Sequence, residues 1–272
     1  MKDIFGRNNI IKKIYDQKDV IIYEDHRTIL NILWMAKKSR TLLLPPTIVC
    51  FDKHDDFKDP IVSKSRLAQI NNSNVSKEEF WSFVEWEISQ LDDDWIKTGM
   101  ELNLIGDVIL FGAEITPNVS GTHNIYSDQY GNTHTLYSVG HIWGGFSHQG
   151  WLVDYAQSYL YQPIWDLLGW QNARNDYFFD SNKRKIPLIL DFDLDCFTNQ
   201  LLEFVIPWRE DIFLNLFTKR LKYDYTPQQF LIDLFRESTF TTIAKESECF
   251  SYVNDSALVL KYLNELLFNN YL

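Results

Sequence analysis

Short apolar, β-branched runs alternate along the chain with stretches whose apolar residues recur every three or four positions. Val20-Ile21-Ile22-Tyr23, Thr47 to Phe51, Asp107 to Phe111, Ile186 to Leu190 and Phe240 to Ala244 read as buried strands. Between the first two, Thr28 to Lys38 puts Leu30, Ile32, Leu33 and Met35 on one side of a helix. A polar loop is expected from the end of the second run to Ser76. Ser76-Lys77-Glu78-Glu79 then matches a capping box, and the helix it opens is expected to reach Asp92. Thr226-Pro227-Gln228-Gln229 combines an N-cap, Pro at N1 and Gln at N3, and Ser256 to Phe268 reads as a last amphipathic helix. Residues 117–150 interrupt the alternation. There Asp128-Gln129-Tyr130-Gly131-Asn132 is a turn between Tyr-rich flanks, which predicts a hairpin or lid. Strands alternating with helices predict an α/β fold with a mostly parallel sheet, as one domain over residues 1–272.

Composition narrows the function classes. With 26 basic against 37 acidic residues the net charge is −11, which disfavours nucleic acid and suits a cationic substrate. No run approaches the ~20 apolar residues of a membrane span, and Met1 to Arg7 lacks the apolar core of a secretory signal. Three scattered cysteines, Cys50, Cys196 and Cys249, fit a reducing cytoplasm, with Cys50 and Cys196 expected to be packing residues.

The candidate chemistry lies where apolar runs end. Glu24-Asp25-His26, Asp52-Lys53-His54-Asp55-Asp56 and Asp191-Phe192-Asp193-Leu194-Asp195 each follow or finish a strand. Taken singly they have ordinary readings: a solvated or calcium-binding loop for the last, an N-cap with a surface His for the second. Together they share the functional edge of a parallel sheet. Alternation along a strand would point Asp52, His54 and Asp56 to one place, and Asp193 and Asp195 likewise. So many carboxylates in one place require cations. The expectation is a two-metal enzyme.

These residues resemble the ureohydrolase superfamily of arginases and agmatinases, with histone deacetylases as distant cousins. Asp25-His26, Asp-x-His-x-Asp at 52–56 and Asp-x-Asp at 193–195 match its three motifs in order. The resemblance implies a three-layer αβα sandwich around the parallel sheet, with the hairpin or lid near 117–150 as an insertion. It implies two manganese ions per chain. His26 and Asp56 would bind one, His54 and Asp195 the other, and Asp52 and Asp193 would bridge them. Asp25 would orient the His26 ring from behind. Asp191 stands where arginases have a small polar residue and is a second candidate for that supporting role. Two ions ~3.5–4 Å apart would hold a water and lower its pKa towards ~7 for attack on a guanidinium.

The departures bear on the substrate. Arginases acting on the free amino acid have an Asn that reads its carboxylate, two positions after Asp-x-His-x-Asp. This chain has Phe57-Lys58 there, and no His follows soon after Asp56. Glu24-Asp25-His26, Asp-x-Asp-x-Asp and Thr242-Ile243-Ala244-Lys245 are similar to the peptide arginases, which convert arginine to ornithine within ribosomally made peptides. The implied partner is an arginine-containing precursor peptide. Glu246 or Glu248 would hold the guanidinium, and His141 or His148 would supply the missing proton shuttle. Aromatics such as Tyr126, Tyr130, Tyr137, Trp143, Trp151 and Tyr155 are either groove lining or, for most of them, packing. The alternatives are a small-molecule ureohydrolase, a deacetylase-like amidohydrolase with one metal, and a metal-stabilised peptide-binding module. The oligomeric state is left open.

Overall fold

In the computed structural model, residues 10–72, 74–111, 122–139, 186–201, 204–218, 226–252 and 254–272 are described. The β-branched runs pair side by side. The strands are β1 (Ile11–Tyr15), β2 (Lys18–Tyr23), β3 (Thr47–Phe51), β4 (Val108–Phe111), β5 (Thr122–Ser127), β6 (Thr133–Val139), β7 (Leu188–Asp193) and β10 (Phe240–Ala244). They form one sheet in the order β1-β2-β10-β7-β3-β4-β6-β5. From β2 to β6 every neighbouring pair is parallel, and an antiparallel strand closes each end. A separate two-stranded ribbon joins β8 (Thr198–Leu201) and β9 (Phe204–Pro207).

Strand alternation builds two cores on the two faces. Val49, Phe51, Ile109, Phe111, Leu190 and Phe192 pack against α5 (Glu210–Thr218), α6 (Pro227–Glu237) and α7 (Asp255–Phe268). Ile48, Cys50, Val108, Leu110 and Ile189 pack against α1 (Ile29–Lys38), α2 (Lys64–Ile70), α3 (Lys77–Trp86) and α4 (Trp95–Glu101). The result is the expected α/β sandwich, helices on both sides of a mostly parallel sheet. Among the described residues, no helix is long and apolar enough to cross a membrane.

The expected hairpin is present over Thr122–Val139, and it is built into the sheet, because β6 lies parallel against β4. Its turn is tied by the Asp128 carboxylate, which accepts the backbone N–H groups of Tyr130 and Asn132 at 2.9 and 2.8 Å. Gly131 takes a left-handed φ of 83° there. The rest of 117–150 lies outside the described residues.

Several elements differ from the sequence expectation. β1 was not foreseen, since its only apolar residues besides Tyr15 are Ile11 and Ile14, and both are exposed. The loop expected before Ser76 contains α2, whose seven residues are too few to show a clear period. α3 stops at Trp86 instead of Asp92. Beyond it the Asp94 carboxylate accepts the N–H groups of Ser89 and Ile61, which folds the segment into turns. At α6 the capping box is complete on both arms, and at α3 Ser76 Oγ accepts the Glu79 N–H at 3.1 Å.

Candidate metal centre

The acidic clusters meet at the carboxyl ends of four adjacent strands. His26 follows β2, Asp193 ends β7, Asp52 follows β3, and Glu246 lies just beyond β10, which separates β2 from β7. His26 is buried, and its Nδ1 lies 3.3 Å from Asp52 Oδ2, 3.3 Å from Asp193 Oδ2 and 3.4 Å from Asp56 Oδ2. Beside this group, His54 Nδ1 stands 3.2 Å from Asp195 Oδ2 and 3.9 Å from Asp52 Oδ1. Among the described residues three groups have metal-ligand spacing: His26 with Asp52 and Asp56, and Asp52 with His54 and Asp195, both at these strand ends, and His26 with Cys50 and Asp191.

The convergence does not come from strand alternation. β3 ends at Phe51 and β7 at Asp193, so His54, Asp56 and Asp195 lie in turns. Each turn is curled by the aspartate that opens it. Asp52 Oδ1 accepts the His54 N–H at 2.7 Å, and Asp193 Oδ1 accepts the Asp195 N–H at 3.1 Å. In both residues the other oxygen is the one that faces His26. Asp56 completes its turn in a left-handed conformation, φ 44°.

Behind His26, Nε2 is held by Asp191 Oδ2 at 2.8 Å. This is the position expected for Asp25. Asp25 Oδ2 lies instead 3.4 Å from the Arg27 guanidinium, at the entrance to the turn. Register explains the substitution. Asp191 sits opposite Cys50 on one neighbouring strand and Thr242 on the other. Thr242 Oγ1 donates to it at 2.6 Å, Cys50 Sγ at 3.2 Å and Tyr23 Oη at 3.4 Å. Cys50 is therefore a donor to this carboxylate as well as a packing residue. Trp95 is a member that no motif marked: it lies 39 positions from Asp56 and has no periodic signature. Its indole N–H donates to Asp56 Oδ2 at 2.6 Å, and its ring lies 4.6 Å from that of His26.

The donor set fits two divalent cations. Among the described residues, His26 Nδ1, Asp52 Oδ2 and Asp195 Oδ1 are buried without a hydrogen-bond partner, and all three residues belong to the two clusters. Orphaned polar atoms in this number at one place are rare unless something binds them. Burial, then the charge of Asp56, pushes Asp52 up to about 7. Burial and Asp195 push Asp193 upward as well. Burial opposes the charged form of His26, yet Asp191 and the other carboxylates around it hold its pKa well above the ordinary value. Hydrogen bonding to Asp195 raises His54 to about 10. Carboxylates and imidazoles strained in this way are the surroundings a cation relieves. Imidazole and carboxylate donors without thiolate suit manganese, zinc or iron.

Both clusters open on one cavity of about 460 Å³. Glu246 forms part of its wall, accepting the His26 backbone N–H with Oε1, and burial followed by the charge of Asp92 raises it to about 8. Glu248 lies exposed in the next turn and does not line the cavity. Lys58 stands at the rim with its ammonium 2.6 Å from Asp93. Tyr126 donates to Glu101 and packs edge-on against Phe57. His141, His148, Trp143, Trp151 and Tyr155 lie outside the described residues.

No protein-family model matches the chain, and no curated protein matches it in sequence. Among solved structures it is similar to that of Helicobacter pylori arginase, at 13% identity over 93% of this chain and 72% of that one, with a TM-score of 0.34. At that score the likeness assigns neither family nor activity, and the centre stands on its own geometry.

Proposed function

We propose that the chain is a dinuclear metal hydrolase that converts arginine side chains in a peptide to ornithine, releasing urea. The observation that carries this reading is the unpartnered His26 Nδ1 facing three carboxylate oxygens at 3.3 to 3.4 Å, beside the second group around His54. His26, Asp52, Asp56 and Asp193 would hold one ion, and Asp52, His54, Asp193 and Asp195 the other, with manganese as the expected metal. Bound there, such a pair supplies the acidification of water near neutral pH that hydrolysis needs.

The chain's own residues do the rest. Glu246, on the cavity wall beside the metal ligands, would be the carboxylate that holds a guanidinium, its oxygens also accepting the His26 N–H and the Cys249 thiol. Asp191 fixes the His26 ring, and Trp95 fixes Asp56, so the reacting carbon meets a preset site. Hydrolysis breaks the bond between the guanidino carbon and Nε, adds the elements of water, and leaves the ornithine amine and urea. Support for a peptide substrate comes from Lys58, which stands where free-arginine arginases read the carboxylate and is already neutralised by Asp93.

A small guanidino substrate is the second reading. Lys53 also lines the cavity, without an ion-pair partner among the described residues, and a free amino acid's carboxylate would suit it. Mass spectrometry separates the two. With manganese, arginine-containing peptides are expected to lose about 42 Da per converted residue, the mass of CN₂H₂ removed by such hydrolysis. No loss from any peptide, alongside urea release from free arginine or agmatine, would replace the peptide reading with the small-molecule one.

A further inference from the structure

The cavity over the metal ligands has an aliphatic side chain on its wall, that of Leu91, which is 80% exposed. Among the described residues, every other side chain lining this cavity is ionisable. Apolar residues scattered singly over a surface need no explanation. One held at the mouth of a charged cavity is different, because a ligand in the cavity lies beside it.

The turn that carries Leu91 is held from both ends. The buried guanidinium of Arg27 donates to Asp92 Oδ1 at 2.6 Å and to the Ser89 carbonyl at 3.4 Å. The Asp94 carboxylate accepts the Ser89 N–H at 3.2 Å. Lys58 donates its backbone N–H to the Asp93 carbonyl at 2.9 Å and its ammonium to the Asp93 carboxylate at 2.6 Å. At the tip, Ser89 Oγ accepts the Leu91 N–H at 3.3 Å, and Asp92 takes a left-handed φ of 54°. All these bonds secure the backbone of Leu91 and its neighbours, while its side chain stays in water. It is a preset apolar contact, so covering it costs little further ordering of the protein.

An arginine whose guanidinium reaches Glu246 leaves its own backbone at the mouth of the cavity. Consecutive Cα atoms are about 3.8 Å apart, so the side chain of the next residue falls at the mouth as well. An aliphatic group there gains by leaving water against Leu91, whereas a charged or polar one gives up hydration without a partner. A small guanidino compound has no neighbouring residue to place there.

We propose that Leu91 is a specificity-determining residue, a lip that contacts an apolar side chain next to the arginine being hydrolysed. This rests on the peptide reading above.

The test uses the manganese-loaded full chain and two peptides that differ only beside a single arginine, with leucine on both sides in one and serine in the other. In competition, read by the mass lost on conversion, kcat/KM should favour the leucine peptide roughly five- to tenfold, the worth of partly burying one such side chain. Leu91→Ser should bring the ratio close to one by lowering the leucine peptide more than the serine peptide. Leu91→Met, which keeps the apolar bulk, should retain the preference, and Leu91→Ala replaces the serine variant if that one does not fold. Equal rates on the two peptides in the wild type, or a preference that survives Leu91→Ser and Leu91→Ala, would overturn the proposal and leave the peptide reading standing. Conversion of neither peptide would overturn the peptide reading and the proposal with it.

Discussion

Asp52 and Asp193 each divide their two oxygens between tasks. Oδ1 curls the following turn and Oδ2 faces His26, so one residue both shapes the site and supplies a ligand. The residue types were legible in the sequence because aspartates and histidines at strand ends have few other reasons to gather. How they converge was not. Period-two alternation stops with the strand, and the turns beyond it are set by side-chain-to-backbone bonds that one residue's identity cannot announce. Trp95 was hidden because it comes from a short helix far along the chain, and the choice of Asp191 over Asp25, both candidates in the sequence, depends on which strands become neighbours. Glu246 gives the sharpest prediction at this scale. Glu246→Gln keeps the acceptor for the His26 N–H and removes the charge. Metal content should be unchanged while kcat/KM on an arginine peptide falls roughly 10- to 100-fold, the worth of a hydrogen bond to a charged group. An unchanged kcat/KM would remove Glu246 from the substrate site.

The elements that position the centre were the easiest to read, because each carries a local signal. β3, β7 and β10 are fully buried strands, mostly apolar or β-branched, and α6 announces itself with Thr226, Pro227 and Gln229. Short helices without a full period, α2 and α4, were missed, and α4 is the one that delivers Trp95. The α6 cap makes a prediction confined to the element. Thr226 Oγ1 accepts the Gln229 N–H at 3.1 Å and Gln229 returns the bond to the Thr226 N–H at 2.9 Å. Thr226→Ala should lower stability to urea by about 1 kcal/mol. Because α6 packs on the face opposite α1 to α4, manganese affinity should not move. A change in metal affinity as large as the stability loss would mean that α6 and the centre are coupled.

At the scale of the whole molecule, the sheet order explains why motifs more than 200 residues apart share one site. His26 and Glu246 belong to the ends of β2 and β10, which are direct neighbours in the sheet, and β7 and β3 follow beside them. That order is what lets residues from both ends of the sequence close around one cavity, and it is a property no local window contains. The net charge of −11 places this cavity in a molecule whose field favours cations over anions. Anomalous diffraction from crystals equilibrated with manganese tests the central claim most directly. Two peaks are predicted about 3.5–4 Å apart, one bounded by His26, Asp52 and Asp56 and the other by Asp52, His54 and Asp195. A map with no peak among these residues, or with a single peak at saturating manganese, would contradict a dinuclear centre.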